Sequence, residues 1–188
     1  MALVKVLVKG YVRALRGVYS TSSTVVLIRN NGKNVVVDPG INRNRLLTAL
    51  SKAGLRTSDV DYVVLTHMHV DHCLLAGVFE NAKLVDGEYL YTWAGKMKKH
   101  KGIIPGTTVR LVKTPGHDQY HCAVIVKDNM GKTVVVAGDN FWWADGEVQN
   151  RNKKDPYVDN ESELRKSREL IIRISDFIIP GHGKVFRK

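Results

Sequence analysis

The sequence has little cysteine and no long hydrophobic run. No stretch approaches the ~20 apolar residues that a transmembrane helix needs, and Lys5 interrupts the apolar N-terminus, so we expect neither a membrane span nor a signal peptide. The two cysteines, Cys73 and Cys122, form no C-x-x-C pair, which argues against a disulfide framework and a cysteine-rich zinc knuckle. These absences predict a cytoplasmic protein with no membrane partner.

Acidic residues are also scarce. The 188 residues include 29 Lys and Arg but only 18 Asp and Glu, for a net charge of +11. Such a charge is compatible with a nucleic-acid partner and also with an ordinary solvated basic surface. With 44% hydrophobic and 25% charged residues, the composition predicts one globular domain over residues 1–188, of unknown oligomeric state.

One pattern of β-structure occurs twice. Residues 25–38 (VVLIRNNGKNVVVD) and 124–137 (VIVKDNMGKTVVVA) each contain two β-branched runs around an Asn- and Gly-containing turn, which predicts a β-hairpin. Residues 61–67 (DYVVLTH) and 176–182 (DFIIPGH) then repeat an apolar run that ends on histidine. The spacing predicts two similar halves.

A helical pattern separates hairpin and strand in both halves. Residues 42–53 place leucines on one face before Gly54. The second helical pattern covers about residues 160–174, with Asp159 or Asn160 as its candidate N-cap. The near-continuous apolar strands indicate sheets that are covered on both faces. We therefore predict an α/β fold in which two sheets pack together with helices outside, and in which the histidines meet at strand ends.

The strongest motif follows the first of these apolar strands. His67, His69, Asp71 and His72 are four potential metal ligands within six residues. In an extended chain His67 and His69 point the same way, whereas Asp71 and His72 follow a turn and can address a second point. A ligand set of His and Asp without Cys suits zinc, with manganese or iron as alternatives.

Three further candidate ligands come singly, each beside a glycine at the end of an apolar run: His117, Asp139 and His182. Together with the hexapeptide they provide about as many ligands as two ions need. His121, Trp142 and Trp143 are additional candidates for contact with substrate, although each could equally be packed against the core. The lysines of residues 96–101 could hold phosphates or form a solvated surface.

The chain resembles the metallo-β-lactamase superfamily over nearly its whole length. The residues that carry the resemblance are the H-x-H-x-D-H motif, His117, Asp139 and Pro180-Gly181-His182-Gly183. The resemblance implies a four-layer αβ/βα sandwich. It implies one metal on His67, His69 and His117, and Asp139 as a bridge to the second. The ligands of that second metal would be Asp71, His72 and His182.

The resemblance implies a metallohydrolase with two divalent ions, most simply Zn²⁺, that activate a hydroxide. Asp71 is the expected catalytic proton acceptor. An ester, thioester or lactone of a small molecule is the leading substrate class, as in the glyoxalase II-like branch. A nuclease acting on RNA or DNA is the first rival, because the chain is also similar to short stand-alone forms that include an RNA-processing endonuclease. A mononuclear iron persulfide dioxygenase is the second.

Overall fold

A computed structural model describes residues 1–141 and 157–187. Within these residues, three α-helices occupy Arg43–Lys52 (α1), Val70–Cys73 (α2) and Glu161–Ile174 (α3). The described strands are Ala2–Val8 (β1), Tyr11–Leu15 (β2), Val18–Ser22 (β3), Val25–Asn30 (β4), Lys33–Val37 (β5), Tyr62–Val64 (β6), Lys83–Val85 (β7), Tyr89–Tyr91 (β8), Met97–Lys99 (β9), Arg110–Lys113 (β10), Cys122–Lys127 (β11), Thr133–Gly138 (β12), Phe177–Pro180 (β13) and Phe186–Arg187 (β14).

The strands form two large sheets and one small one. The first sheet has the order β1-β4-β5-β6-β7-β8-β9, and the second has the order β10-β11-β12-β13-β14. Among the described strands, β2 and β3 pair only with each other, as a hairpin between β1 and β4 in the chain. Strand β1 lies at an edge of the first sheet and pairs antiparallel with β4.

The predicted repeat is present at the level of strand register. Each half has an antiparallel hairpin (β4–β5 or β11–β12) whose second strand pairs in parallel with the strand beyond the helix (β6 or β13). Val35 lies opposite Tyr62 in the first half, and Val134 lies opposite Phe177 in the second. The sequence echoes therefore occupy equivalent positions.

Alternation along the strands produces the layers. Val35 and Val37 point into a buried cluster that also contains Val134 and Val136 of the other sheet, so this cluster fills the space between the sheets. Val36 points the other way, into a cluster with Leu46 and Leu50 of α1. Val135 likewise packs against Ile171 of α3. Helix, sheet, sheet and helix follow in order, which confirms the predicted four-layer α/β sandwich.

Both long helices begin where the sequence predicted. The side chain of Asn42 accepts a hydrogen bond from Arg45 N at the start of α1, and Asn160 does the same for Glu163 N at the start of α3. Among the helices of the described ranges, none is long and apolar enough to cross a membrane.

Candidate metal centre

Seven predicted ligands converge where the two halves meet. Within each of two sets, one nitrogen or oxygen per residue lies within 4.8 Å of those of the others. His67 and His69 extend from the loop after β6, and α2 then begins directly after His69, which turns Asp71 and His72 toward a different point. The first set is His67, His69, His117 and Asp139, and the second is Asp71, His72 and His182.

Asp139 stands between the two sets. Its Oδ2 atom is 3.6 Å from His117 Nε2 and 3.9 Å from His67 Nε2. Its Oδ1 atom is 3.1 Å from His72 Nε2 and 3.6 Å from His182 Nε2. One carboxylate oxygen therefore faces each set, which is the arrangement expected of a residue shared by two ions.

The buried nitrogen and oxygen atoms of the centre are better placed to bind a metal ion than to form hydrogen bonds with one another. His67 Nε2, His72 Nε2 and Asp139 Oδ1 are buried and make no hydrogen bond to any described residue. Buried polar atoms without partners are costly, so such groups in a folded protein usually meet a ligand. Imidazole nitrogens and carboxylate oxygens are suitable ligands for zinc and for related divalent ions.

The electrostatics of the centre favour an ionised Asp139. Burial alone would raise the pKa of this carboxyl, but the adjacent His72 and His182 hold it well below its usual range. Burial opposes charge on His72 as well, yet Asp139 and Asp38 raise its pKa well above the ordinary value. Burial and then the neighbouring His72 lower the pKa of His67. A neutral His67 is the form that can bind a cation.

Asp38, which the sequence did not reveal, holds one histidine of each ligand set in place: His72 directly and His67 through Thr66. It follows β5 with a positive φ of 48° and is 1% exposed. Its carboxylate accepts hydrogen bonds from Thr66 N (2.8 Å) and Thr66 Oγ1 (2.7 Å), and it lies 2.8 Å from His72 Nδ1. Thr66 Oγ1 is also 3.0 Å from His67 Nδ1. The contact of Asp38 with His72 and that of Thr66 with His67 occupy Nδ1 of each ring and so orient Nε2 of both histidines toward the centre.

Residues of β3 hold the second set. Thr21 Oγ1 donates a hydrogen bond to Asp71 Oδ2 (2.6 Å), and that oxygen is 3.4 Å from His182 Nε2. The other ring nitrogen of His182, Nδ1, lies 3.0 Å from the carbonyl oxygen of Ser22. The β2–β3 hairpin is thus fastened to the candidate metal centre at its base.

His121 lies behind the first set. It is fully buried, and its ring stacks on that of His67 with centroids 5.1 Å apart. Burial lowers its pKa to about 3, and its Nδ1 atom lies near the Asn140 amide (2.8 Å) and Thr114 Oγ1 (3.0 Å). This position argues against the predicted contact with substrate and in favour of a packing role.

The other two predicted substrate contacts, Trp142 and Trp143, lie outside the described residues.

Two glycines allow the close approach of the halves. A Cβ built on Gly181 would lie 1.8 Å from Asp139 Oδ1, and one on Gly138 would lie 2.5 Å from Thr66 Oγ1. Gly138 also has a positive φ of 49°. Only glycine fits at these positions without displacing Asp139 or the loop that carries His67.

A cavity of about 260 Å³ opens beside His67. Tyr89, Tyr91 and Tyr120 contribute aromatic walls, and Lys113 contributes a positive charge that Glu88 partly neutralises at 3.5 Å. Solvent reaches the centre on the side of His69, which is exposed.

Comparison with known proteins agrees with this geometry. Residues 18–102 match the family model of the metallo-β-lactamase superfamily. A frog (Xenopus laevis) protein named "Metallo-beta-lactamase domain-containing protein 1" is 32% identical over 98% of this chain and 81% of its own length. The chain belongs to the metallo-β-lactamase superfamily. The match to the rat, mouse and human proteins that share the frog protein's name spans 62%, 56% and 55% of their respective lengths.

Solved structures of this superfamily share the fold. A Thermotoga maritima structure assigned to the metallo-β-lactamases superposes with a TM-score of 0.77 at 20% identity, covering 100% of this chain and 99% of the other. AidC, a dizinc quorum-quenching lactonase, superposes with a TM-score of 0.68 at 13% identity, covering 88% and 74%. By its relatives the chain is a hydrolase of the metallo-β-lactamase superfamily, and it carries a His/Asp cluster that could hold metal.

Proposed function

We propose that the chain uses two divalent metal ions, most simply Zn²⁺, to hydrolyse an ester, thioester or lactone bond in a small molecule. The observation that carries this proposal is the position of Asp139, with one oxygen toward each set of ligands. His67, His69 and His117 would hold one ion, and Asp71, His72 and His182 would hold the other, with Asp139 shared. Two bound ions would supply Lewis acidity and lower the pKa of water enough for attack at neutral pH.

The chain's own residues would orient the metal ligands, accept a proton from the attacking water and exclude bulk water. Asp71 is the acid of the cluster that lies nearest the open side, since its side chain is 17% exposed whereas that of Asp139 is 7% exposed. Thr21 holds one oxygen of Asp71 by a hydrogen bond, and the other oxygen would accept a proton from the attacking water. Asp38 fixes the histidine rings and so the positions of their ligand atoms.

The cavity beside His67 supports a small substrate. Its volume of about 260 Å³ lies just below the ~300–1,000 Å³ of sites for drug-sized ligands. Tyr89, Tyr91 and Tyr120 would contact an apolar acyl group, and Lys113 would stand near a polar end of the substrate. AidC, which shares the fold, is named as a lactonase, and this supports the inclusion of lactones in the substrate class.

Metal quantitation tests the first part of the proposal. We expect about two zinc or manganese ions per chain after purification without chelator. Asp71→Asn should lower occupancy of the second site, whereas Glu80→Gln, the same charge change at an exposed position, should leave the metal content unchanged. One iron per chain would instead support the persulfide dioxygenase and would contradict the proposed hydrolase.

Hydrolysis of p-nitrophenyl acetate, a thioester, a lactone and bis-p-nitrophenyl phosphate tests the substrate class. We expect turnover of at least one of the three acyl compounds, loss of that turnover with EDTA, and its recovery with zinc. Asp71→Asn should lower kcat by about a hundredfold or more in enzyme reloaded with excess metal. Turnover of the phosphodiester alone would contradict the acyl substrate.

The rival function is cleavage of a nucleic-acid phosphodiester at the same centre. The net charge of +11 favours it, because a strong positive charge promotes association with polyanions. Metal-dependent cleavage of RNA or DNA, absent from Asp139→Asn, would establish it.

A further inference from the structure

The positive charge of the chain is concentrated at its N-terminal end. Residues 1–58 contain ten Lys and Arg and a single acidic residue, Asp38, which is 1% exposed. The other 130 residues contain 19 Lys and Arg and 17 Asp and Glu. Nine of the eleven net charges therefore belong to less than a third of the chain. A generally basic surface would not produce this imbalance.

The fold gathers part of this charge into one groove. An open cavity of about 530 Å³ runs between the edge strand β1 and helix α1. Lys5 and Lys9 line it from the strand, and Arg45 and Lys52 line it from the helix. All four are exposed, and none of the lining residues, which all lie in the described part of the chain, is acidic. An anionic ligand in the groove would lie close to several positive charges and would be attracted to them.

The groove points toward the candidate metal centre. Strand β1 runs toward β2 and β3, and α1 begins at Asn42, whose side-chain amide donates to Tyr11 Oη (3.1 Å) on β2. The guanidinium groups of Arg45 and Arg13 lie over the ring of Tyr11, at 4.8 and 5.7 Å from its centre. Tyr11 pairs in register with Ser22, whose carbonyl oxygen contacts His182. The basic track thus ends one strand away from the second ligand set.

The dimensions suit a nucleic-acid strand. From Arg45 to Lys52 the helix rises about 10 Å, and from Lys5 to Lys9 the strand extends about 13 Å. At the ~3.4 Å rise of stacked nucleotides, these lengths accommodate about three to four nucleotides. The cations lie on both sides of the open groove, so a single flexible backbone that enters it can contact both sides, whereas a flat lipid surface contacts only its rim.

We propose that the groove lined by Lys5, Lys9, Arg45 and Lys52 binds the phosphate backbone of single-stranded nucleic acid. Binding there is independent of the reaction at the metal centre. If the centre cleaves phosphodiesters, the groove holds the substrate strand, and if it cleaves small esters, the groove is a separate binding site. The binding measurement in EDTA removes the reaction and so distinguishes failure of this proposal from failure of the proposed function.

The test is binding of a fluorescein-labelled oligouridylate of about 12 nucleotides to the full chain in EDTA, followed by anisotropy at several salt concentrations. Lys5→Gln/Lys52→Gln should weaken binding at about 50 mM salt by about fivefold or more. It should also make the slope of log K against log[salt] shallower by about 1.4, because two phosphate contacts are lost.

A matched pair of substitutions controls for total charge. Lys127→Gln/Lys166→Gln removes two exposed lysines from the second half, on β11 and α3, and should change affinity less than twofold. Lys5→Arg/Lys52→Arg keeps the charge and should bind within about twofold of the unmodified chain. Thermal unfolding by circular dichroism checks that each variant is folded.

Three results would overturn the proposal. The first is no salt-sensitive binding of the oligonucleotide at about 50 mM salt. The second is equal weakening by the two glutamine pairs, which would show that only total charge matters. The third is that Lys5→Gln/Lys52→Gln reduces sedimentation with phosphatidylserine vesicles but leaves oligonucleotide binding unchanged, which would assign the groove to a lipid surface.

Discussion

Two buried aspartates follow corresponding strands in the two halves, and their surroundings differ. Asp38, after β5, has both carboxylate oxygens engaged, by the Thr66 backbone and hydroxyl and by His72. Asp139, after β12, has an oxygen, Oδ1, that lies 3.1 Å from His72 Nε2 but makes no hydrogen bond of good geometry to a described residue. A carboxylate whose bonding capacity is filled can orient its neighbours, whereas one with an open oxygen can bind a cation.

The difference follows from how each half secures the loop that carries its histidine. In the first half the Asp38 side chain accepts the Thr66 N–H. In the second half the backbone carbonyl of Gly138 accepts the equivalent Gly181 N–H (2.8 Å). The backbone bond leaves the acid of the second half available for metal. The same local fold therefore supplies an orienting residue in one half and the candidate shared ligand in the other.

Asp139→Asn should have the largest effect on function. Loss of the carboxylate charge removes the group between the two ligand sets, so we expect metal content to fall below one ion per chain and kcat/KM to fall about a thousandfold. Elemental analysis and steady-state kinetics measure both. Retention of two ions would show that Asp139 is not the shared ligand and would remove the contrast with Asp38.

Gly181→Ala should damage the same ligand by a steric route. Its Cβ would lie 1.8 Å from Asp139 Oδ1, so the carboxylate must move, and we expect a decrease in metal affinity of about a hundredfold or more. Isothermal titration of the metal-free chain with zinc gives the affinity. Gly77→Ala, whose Cβ meets no atom within 4 Å, is the control and should bind zinc normally.

Asp38→Asn should reduce both stability and metal binding. The amide cannot accept at both former oxygen positions, so we expect about 1–3 kcal/mol less stability in the metal-free chain and about 10–100-fold weaker metal binding. Urea unfolding in EDTA measures the first quantity, and zinc titration measures the second. Asp139→Asn should instead lose metal affinity with little loss of stability in the metal-free chain. Equal loss of metal-free stability in the two variants would contradict the distinction between the two aspartates.

Thr21→Val should have the smallest effect. It removes the hydroxyl that donates to Asp71 Oδ2, and this partly exposed hydrogen bond is worth about 0.5–1.5 kcal/mol. We expect kcat to fall about two- to tenfold with little change in KM or in zinc affinity. Thr21→Ser keeps the donor and should restore kcat. If serine fails to do so, the role of Thr21 is packing of the hairpin.

Local spacing in the sequence was sufficient to find the core of the centre. Alternation of side chains in an extended segment places His67 and His69 together, and the repeated hairpin, helix and strand patterns predict the layers because burial on both faces requires continuous apolar strands. His117, Asp139 and His182 are weak candidates for metal ligands when each is taken singly. The repeat and the family resemblance together predict that they join the same centre. The structure brings all three to the hexapeptide.

What the sequence did not reveal depends on residues that are distant along the chain. Asp38 precedes Pro-Gly and reads as an ordinary turn residue. Its role follows from contacts with residues 28 and 34 positions later. The sequence left contact with substrate and packing both open for His121, and packing of the second sheet buries it behind His67. Lys5 and Lys52 are 47 positions apart, and only the packing of α1 against β1 places them in one groove.

Sequence alone thus determined the ligand types, the repeated hairpin, helix and strand pattern and the net charge, because each depends on neighbouring residues or on composition. The tertiary structure decided which aspartate orients and which faces both ligand sets, and where the positive charge forms a groove. These depend on the distance and direction between side chains from separate elements, which are fixed only when the two sheets pack.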